Sequence, residues 1–213
     1  TGGTYMRFEI RKTDTMVNGA FRDEVGITTG SPLVNTHRWY EITYLFPQWI
    51  SFDPVHKCIM QLNDITSLGS VEVLINIVGS KLVLWARCWP DGTAGSEIGR
   101  FYDIGTITKN VWDRVLVHYV PSLDATGPNA GIIEIWRNGQ KVLLTNGNAL
   151  AGGGSPLPDT YAITGITGSA DINGNLISGT YVKWGIYNSA FASSTLSKSV
   201  MYFKDYRMGT AAA

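Results

Sequence analysis

The feature that most restricts the fold of this chain is a short, two-residue alternation of apolar and polar side chains. It is clearest over residues 181–188, which read Tyr-Val-Lys-Trp-Gly-Ile-Tyr-Asn. Successive side chains of a strand point to opposite faces, so Val182, Trp184 and Ile186 are predicted to enter a core. The other face then carries Tyr181, Lys183, Gly185 and Tyr187. Two phenols and an ammonium on one exposed sheet face predict contact with a ligand.

The same alternation recurs in short segments along most of the chain. Further strands are predicted over 5–11, 22–25, 38–46, 58–63, 71–78, 81–89, 98–107, 112–121, 131–144 and 200–208. Asn138-Gly139 is the strongest hairpin signal among them. A loop is predicted over 146–158 and one helical turn within 193–199, but no helix of core length. The pattern is typical of an all-β protein, a β-sandwich of two packed antiparallel sheets in which one sheet exposes a concave polar groove.

Length and charge restrict the organisation and the partners. A chain of 213 residues without an internal repeat or linker predicts a single domain over 1–213. The formal net charge is zero, from 17 basic and 17 acidic residues, which argues against a nucleic-acid or anionic-membrane binder. No apolar run reaches the length of a membrane span. The chain opens on Thr1 and is expected to be a mature form or a domain of a longer protein.

The two cysteines, Cys58 and Cys88, leave two alternatives open. They could form one bridge between strands, or both could be buried free thiols. Neither alternative makes a metal site, and no Asp-rich loop indicates calcium, although a structural calcium ion is compatible with such sandwiches.

Three polar stretches lie on strand faces that a sandwich can bring together. They are Arg22-Asp23-Glu24-Val25, Gln61-Leu62-Asn63 and the 181–188 strand. Their order resembles the three motifs of jelly-roll polysaccharide lyases, the alginate lyases and their glucuronan- and heparin-lyase-like relatives. Those motifs are R-x-E-L, Q-x-H and Y-F-K-A-G-x-Y-N-Q. The resemblance extends over nearly the whole chain and implies a jelly-roll fold.

The resemblance implies β-elimination at a uronic acid of an acidic polysaccharide, with no cofactor. Elimination needs donors and a cation at the C6 carboxylate, a base at C5 and an acid at O4. Arg22 would pair with the carboxylate, and Gln61 and Asn63 would donate amide hydrogens to it. Tyr187 would act as base and acid when the proton and the leaving group lie on the same side of the ring. Lys183 would stabilise a phenolate and bind anionic sugar.

One position departs from the family pattern. Asn63 stands where the family has histidine, and an amide cannot take up a proton. Three histidines remain as alternatives. His37 and His56 could reach the groove from a neighbouring strand or loop, whereas His118 is predicted to be structural. The final glutamine of the third motif is replaced by Ser189, a milder change.

Further side chains are candidates for substrate binding. They are Arg7, Glu9, Arg11, Glu24, Tyr181 and Arg87. Two alternatives stay open for this set. The alternating charges at positions 7, 9 and 11 could form a cross-strand ion-pair ladder and nothing more. Arg87 could line the groove together with Lys81 and Trp85, which share its strand face.

Two functions are carried forward from the sequence. The first is a polysaccharide lyase acting on a uronate polymer. The second is a lectin-like, non-catalytic glycan-binding domain of a larger surface or phage appendage protein, which Asn63 favours. A glucanase is disfavoured because it needs two carboxylates on one strand face, and the sequence has no obvious pair of this kind.

A polymeric substrate predicts an extracellular or secreted protein, virion-associated if it belongs to a phage. The oligomeric state is left open.

Overall fold

In a computed structural model of the chain, the described residues are 4–27, 36–64, 71–88, 98–120, 131–144, 149–150, 163–165 and 180–210. They form the following strands in chain order: β1 (Met6–Arg11), β2 (Phe21–Ile27), β3 (Arg38–Leu45), β4 (Lys57–Asp64), β5 (Val71–Val78), β6 (Lys81–Cys88), β7 (Ile98–Thr106), β8 (Trp112–Val120), β9 (Gly131–Arg137), β10 (Gln140–Val142), β11 (Ala149–Leu150), β12 (Ile163–Gly165), β13 (Thr180–Asn188) and β14 (Lys198–Gly209). A 3-10 turn spans Phe191–Ser193.

The strands build two antiparallel sheets of seven strands each. The back sheet has the order β1-β14-β3-β8-β9-β10, with β12 also paired to β9. The groove sheet has the order β11-β7-β6-β5-β4-β13-β2. Because neighbours in space are often distant in sequence, the chain crosses repeatedly between the sheets. The predicted all-β jelly-roll sandwich is confirmed.

The core lies between the sheets, and the alternation along β13 is as predicted. Val182, Trp184 and Ile186 are buried, and Trp184 stacks on Tyr206 of the back sheet with ring centroids 4.0 Å apart. The back sheet contributes Phe8 among many other apolar side chains. This burial of apolar surface supplies the main stabilisation of a sandwich.

Of the turns and loops predicted from local sequence, the structure confirms one hairpin turn, places the helical turn slightly earlier and shows a short strand within the predicted loop. Asn138 and Gly139 join β9 to β10 with φ values of 52° and 82°, as a tight hairpin requires. The predicted helical turn occurs slightly earlier, over Phe191–Ser193. The predicted loop over 146–158 is wrong at Ala149–Leu150, which pair with β7, because backbone pairing overrides the weak local preference. The rest of that loop lies outside the described residues.

Cys58 of β4 is a buried free thiol, as the second of the two alternatives predicted for this residue. The side chain of Cys88 lies outside the described residues. Within the described ranges, no helix is long and apolar enough to cross a membrane. No group of three or more His, Cys, Asp or Glu side chains in that same part of the chain could hold a metal ion.

A β-bulge in β13 determines where its side chains point. Between Trp184 and Tyr187 the register against β4 shifts, so β13 holds one more residue than its partner. Gly185 lies at this shift with φ +136°, and a Cβ there would stand 2.3 Å from the Asp23 carbonyl oxygen and 2.8 Å from Glu24 Cα. Only glycine fits this backbone without displacing β2.

Lys57 begins β4 and is almost completely buried. Its Nζ lies 5.0 Å from the centroid of the Phe46 ring. Burial lowers the pKa of Lys57 to about 8, and the negative charge of Asp53 opposes that change. Asp53 in turn accepts hydrogen bonds from the Ser194 hydroxyl and the Val55 amide. A buried ammonium therefore lies at the end of the sandwich.

We expect Gly185→Ala to lower the free energy of unfolding by more than the ~1–3 kcal/mol of backbone strain alone, because the new methyl group also collides with β2. Gly79→Ala is the matched control. Gly79 also has a positive φ, of 56°, but open space where a Cβ would lie. Urea unfolding of both variants measures the difference, and equal losses would contradict the role of the collision.

We expect Lys57 to make stability rise with pH above about 8. Its pKa is about 8 in the folded protein, below its ordinary value of 10.5. The unfolded chain therefore binds more protons between these values, and the penalty for burying the ammonium, on the order of a few kcal/mol, disappears across that window. Unfolding measured from pH 7 to 10.5 should show a steeper rise for the wild type than for Lys57→Met. Parallel curves would contradict this assignment.

Candidate active site

The outer face of the groove sheet presents its polar side chains in rows across the strands. In one row Arg22 of β2 pairs in register with Tyr187 of β13, and Tyr187 pairs with Cys58 of β4. Cys58 pairs in turn with Asn76 of β5. Antiparallel register therefore places a guanidinium, a phenol, a thiol and a carboxamide side by side.

A second row runs parallel to the first. Lys183 of β13 pairs with Gln61 of β4, Gln61 pairs with Leu74 of β5, and Leu74 pairs with Trp85 of β6. In a third position Tyr181 pairs with Asn63. Residues from four strands thus converge although they are far apart in sequence.

These rows line one open cleft of about 420 Å³, within the ~300–1,000 Å³ typical of ligand sites. Six of the predicted site residues border it: Arg22, Gln61, Asn63, Tyr181, Lys183 and Tyr187. Their convergence depends on the backbone irregularities of β4 and β13. A register shift between Cys58 and Met60 brings Cys58 and Gln61 to the same face, although they are three positions apart in sequence and would point to opposite faces of a regular strand.

Two cations lie against the two phenol rings of β13. The Arg22 guanidinium carbon is 4.9 Å from the Tyr187 ring centroid, and Lys183 Nζ is 5.0 Å from that of Tyr181. Such cation–aromatic pairs fix the positions of side chains that would otherwise be mobile. The cleft therefore presents positive charge next to a phenolic hydroxyl.

Glu24 lies beside this cleft without lining it. Gln61 Nε2 donates a hydrogen bond to Glu24 Oε1. Burial raises the pKa of Glu24, and the hydrogen bond from Gln61 and the positive charges of Lys183 and Arg22 oppose that rise. The two cations thus stand on either side of one partly buried carboxyl group.

Several buried polar atoms around the cleft have no hydrogen-bond partner in the described part of the chain. Among them are Arg22 Nε, Asn63 Nδ2 and Asn76 Oδ1. An unpaired buried donor or acceptor costs about 1–3 kcal/mol, so native structures usually satisfy such groups. Their concentration here is typical of a site that binds a polar ligand.

The sequence interpretation missed Asn76, which is buried in the cleft floor. Its signal is a single amide within the apolar run of β5, Val-Glu-Val-Leu-Ile-Asn-Ile-Val. A polar residue at the centre of a buried strand needs a partner or a function. Position 76 lies two residues after Leu74, which also borders the cleft, so the alternation places the Asn76 amide on the groove face.

The histidines divide between the two sheets. His56 borders the cleft, from the segment that precedes β4. His37 Nδ1 lies 2.8 Å from His118 Nε2, and His118 Nδ1 lies 2.6 Å from a Glu134 carboxylate oxygen. Burial lowers the pKa of His118, against the effect of Glu134. Strands β8 and β9 of the back sheet hold this chain of contacts, so neither His37 nor His118 reaches the cleft.

The structure does not bring the charged residues of β1 to the cleft. Arg7 and Arg11 both form ion pairs with Glu9 on the back sheet. These ion pairs run along β1 rather than between strands, so the charges neutralise one another locally but the predicted cross-strand ladder is not the arrangement of these three residues. The Glu9 backbone N–H donates to Asp23 Oδ2 at 2.7 Å and so ties the edge of the back sheet to β2.

The strand β6 reaches the cleft through Trp85, whose ring stacks on Phe101 with centroids 5.0 Å apart. Lys81, at the start of the same strand, pairs instead with Asp103 at 2.6 Å. The backbone of Arg87 lies two residues beyond Trp85, and its side chain lies outside the described residues.

Comparison of the fold finds jelly-roll lyases. An endo-β-1,4-glucuronan lyase from the fungus Trichoderma reesei superposes with a TM-score of 0.70, at 14% identity, over 99% of this chain and 83% of that one. An alginate lyase from Pseudomonas aeruginosa gives 0.60, at 14% identity, over 95% and 81%. One from Klebsiella pneumoniae gives 0.60, at 10% identity, over 98% and 82%. At these identities the likeness establishes the fold.

No curated protein sequence shows significant similarity to this chain. A family model described as polysaccharide lyase, however, matches residues 1–207. That match covers all three sequence motifs and the cleft that they form. The chain therefore belongs to the polysaccharide lyase family, whose members are carbon–oxygen lyases acting on polysaccharides.

Proposed function

We propose that this protein cleaves a uronate-containing acidic polysaccharide by β-elimination. The observation that carries the proposal is the convergence of Arg22, Gln61, Asn63, Lys183 and Tyr187 on one cleft. The structurally similar glucuronan and alginate lyases are named for uronate polymers, which supports the same class of substrate here.

The first requirement is to neutralise the C6 carboxylate, because the adjacent C5 proton is barely acidic beside a full negative charge. Arg22 offers a guanidinium, and Gln61 and Asn63 offer amide hydrogens from neighbouring positions of the groove face. The unpaired Asn63 Nδ2 gains a partner when the carboxylate binds. Charge-assisted hydrogen bonds of this kind stabilise the carbanion-like transition state more than the ground state.

The second requirement is proton transfer. Tyr187 lies in the same row as Arg22, so its hydroxyl is next to the group that binds the carboxylate. As a phenolate it removes the C5 proton, and as a phenol it returns the proton to O4 while the C4–O4 bond breaks. One residue suffices when the proton and O4 lie on the same side of the ring, as in D-glucuronate and D-mannuronate. The proposed substrate therefore has this C5 configuration.

The third requirement is to hold the polymer. Lys183 over Tyr181 supplies charge and a ring face, and Trp85 borders the cleft on the far side of the second row. Aromatic faces stack on the apolar faces of sugar rings, while the cations attract neighbouring uronates. The elimination as proposed requires no cofactor. A polymeric substrate supports an extracellular or secreted location, or a virion-associated one if the protein belongs to a phage.

We expect absorbance from a new C4–C5 double bond when the protein is incubated with glucuronan or polymannuronate. Tyr187→Phe should lower turnover by at least ~100-fold, the scale of a lost general acid–base group, while folding normally. Tyr181→Phe is the matched control, and it should keep turnover, because it also removes one phenolic hydroxyl but keeps the ring face. A folded wild-type protein that binds these polymers without any absorbance change would instead identify a non-catalytic glycan-binding domain.

We expect polyguluronate, in which the C5 proton and O4 lie on opposite sides, to be cleaved far more slowly by the wild type. Asn63→His places an imidazole where an amide now stands and should raise the rate on polyguluronate by at least ~10-fold, because a second group can then take the C5 proton. Asn63→Gln is the control, and it should give no gain. An unchanged rate on polyguluronate in a folded Asn63→His variant that still cleaves polymannuronate would contradict the one-residue mechanism.

A further inference from the structure

Glu24 is a charged residue on the same face of β2 as Arg22, and the elimination itself does not use it. It lies on β2 opposite Gly185 of β13 and receives the hydrogen bond from Gln61 Nε2. Its second carboxylate oxygen is buried and has no hydrogen-bond partner in the described part of the chain. One carboxylate oxygen of Glu24 is bound by Gln61 and the other is buried, so Glu24 is placed to act on the substrate through Gln61.

The contact with Glu24 determines which end of the Gln61 amide faces the cleft. A carboxamide has a donor end and an acceptor end, and a rotation exchanges them. An ionised carboxylate only accepts hydrogen bonds, so it requires the NH₂ end of Gln61 at this contact. The second amide hydrogen is then available to the substrate. If the amide were reversed, its carbonyl oxygen would take the place of that donor and repel a uronate carboxylate.

Protonation of Glu24 removes this requirement. A protonated carboxyl group can donate to the Gln61 carbonyl oxygen and so accept the reversed amide. The surrounding titratable and charged groups are Lys183 on β13, Arg22 on β2 itself and Cys58 on β4. Burial keeps the Cys58 thiol neutral by raising its pKa, and the two cations favour the ionised carboxylate. Burial nevertheless raises the pKa of Glu24 above its ordinary value.

We propose that Glu24 is a positioning residue that holds the Gln61 amide with its second N–H toward the substrate carboxylate, and that protonation of Glu24 releases the amide and weakens turnover in acid. The inference rests on the proposed function, since it concerns how the same cleft recognises a uronate. It assigns to the glutamate of the first motif an effect on pH dependence rather than direct contact with substrate.

Two substitutions separate positioning from simple structural support. Glu24→Gln cannot titrate and, like the protonated carboxyl group, can pair with either end of the Gln61 amide, so its kcat/KM at neutral pH should fall to about the value of the wild type in acid, and the acid limb of its pH profile should disappear. Glu24→Leu removes the acceptor, and kcat/KM should fall ~10–100-fold, the range found when the hydrogen-bond partner of a metal-binding side chain is removed. Asp205→Asn makes the same carboxylate-to-amide change at an exposed back-sheet position and should leave the acid limb intact.

A second measurement does not depend on turnover. In ¹H–¹⁵N spectra, the Gln61 side-chain NH₂ signals, assigned by their loss in Gln61→Ala, should shift with pH in one step whose pKa lies above that of an ordinary glutamate. The step should be missing in Glu24→Gln. If no uronate polymer is cleaved but this step is present, the proposed function fails while the coupling of Glu24 to Gln61 stands. An acid limb that persists in Glu24→Gln, or Gln61 signals that do not titrate, would overturn the positioning role.

Discussion

The cleft depends on the pairing of one strand, β13, between β2 and β4 of the groove sheet. The inward side chains of β13 are buried, and Trp184 among them stacks on Tyr206 of the back sheet. This packing holds the strand in place and so fixes the positions of its outward side chains. Each outward residue then meets a fixed partner, Arg22 opposite Tyr187 and Gln61 opposite Lys183. The hydrophobic burial of one face is therefore what makes the polar face rigid, and the Gly185 bulge adjusts its spacing.

Local charge matters more here than total charge. The chain is neutral overall, with 17 residues of each sign, yet Arg22 and Lys183 both reach the cleft. The carboxyl group of Glu24 lies near both cations and accepts a hydrogen bond from Gln61. Elsewhere acidic and basic side chains neutralise each other in pairs, as Arg137 does with Asp113 and Lys81 does with Asp103. A neutral protein can thus present a site suited to an acidic ligand.

The success of sequence interpretation differed between features for physical reasons. The core residues of β13 and the hairpin at Asn138-Gly139 were predictable because alternation and turn conformation are local properties. The short strand Ala149–Leu150 was not, because only its pairing with β7 makes it a strand. Alternation also gave no indication of which sheet would hold β1, so its charges were candidates for a groove that they do not reach.

The sequence by itself determined the two-faced strands and the all-β class, since these follow from residue type and a period of two, and the order of its three polar stretches indicated a polysaccharide lyase by resemblance. Tertiary structure alone decided that Arg22, Gln61 and Tyr187 share one cleft, that His56 rather than His37 borders it, and that Asn76 belongs to its floor. Strand order, register shifts and bulges made those decisions. They arise from contacts between residues tens of positions apart, which no local pattern encodes.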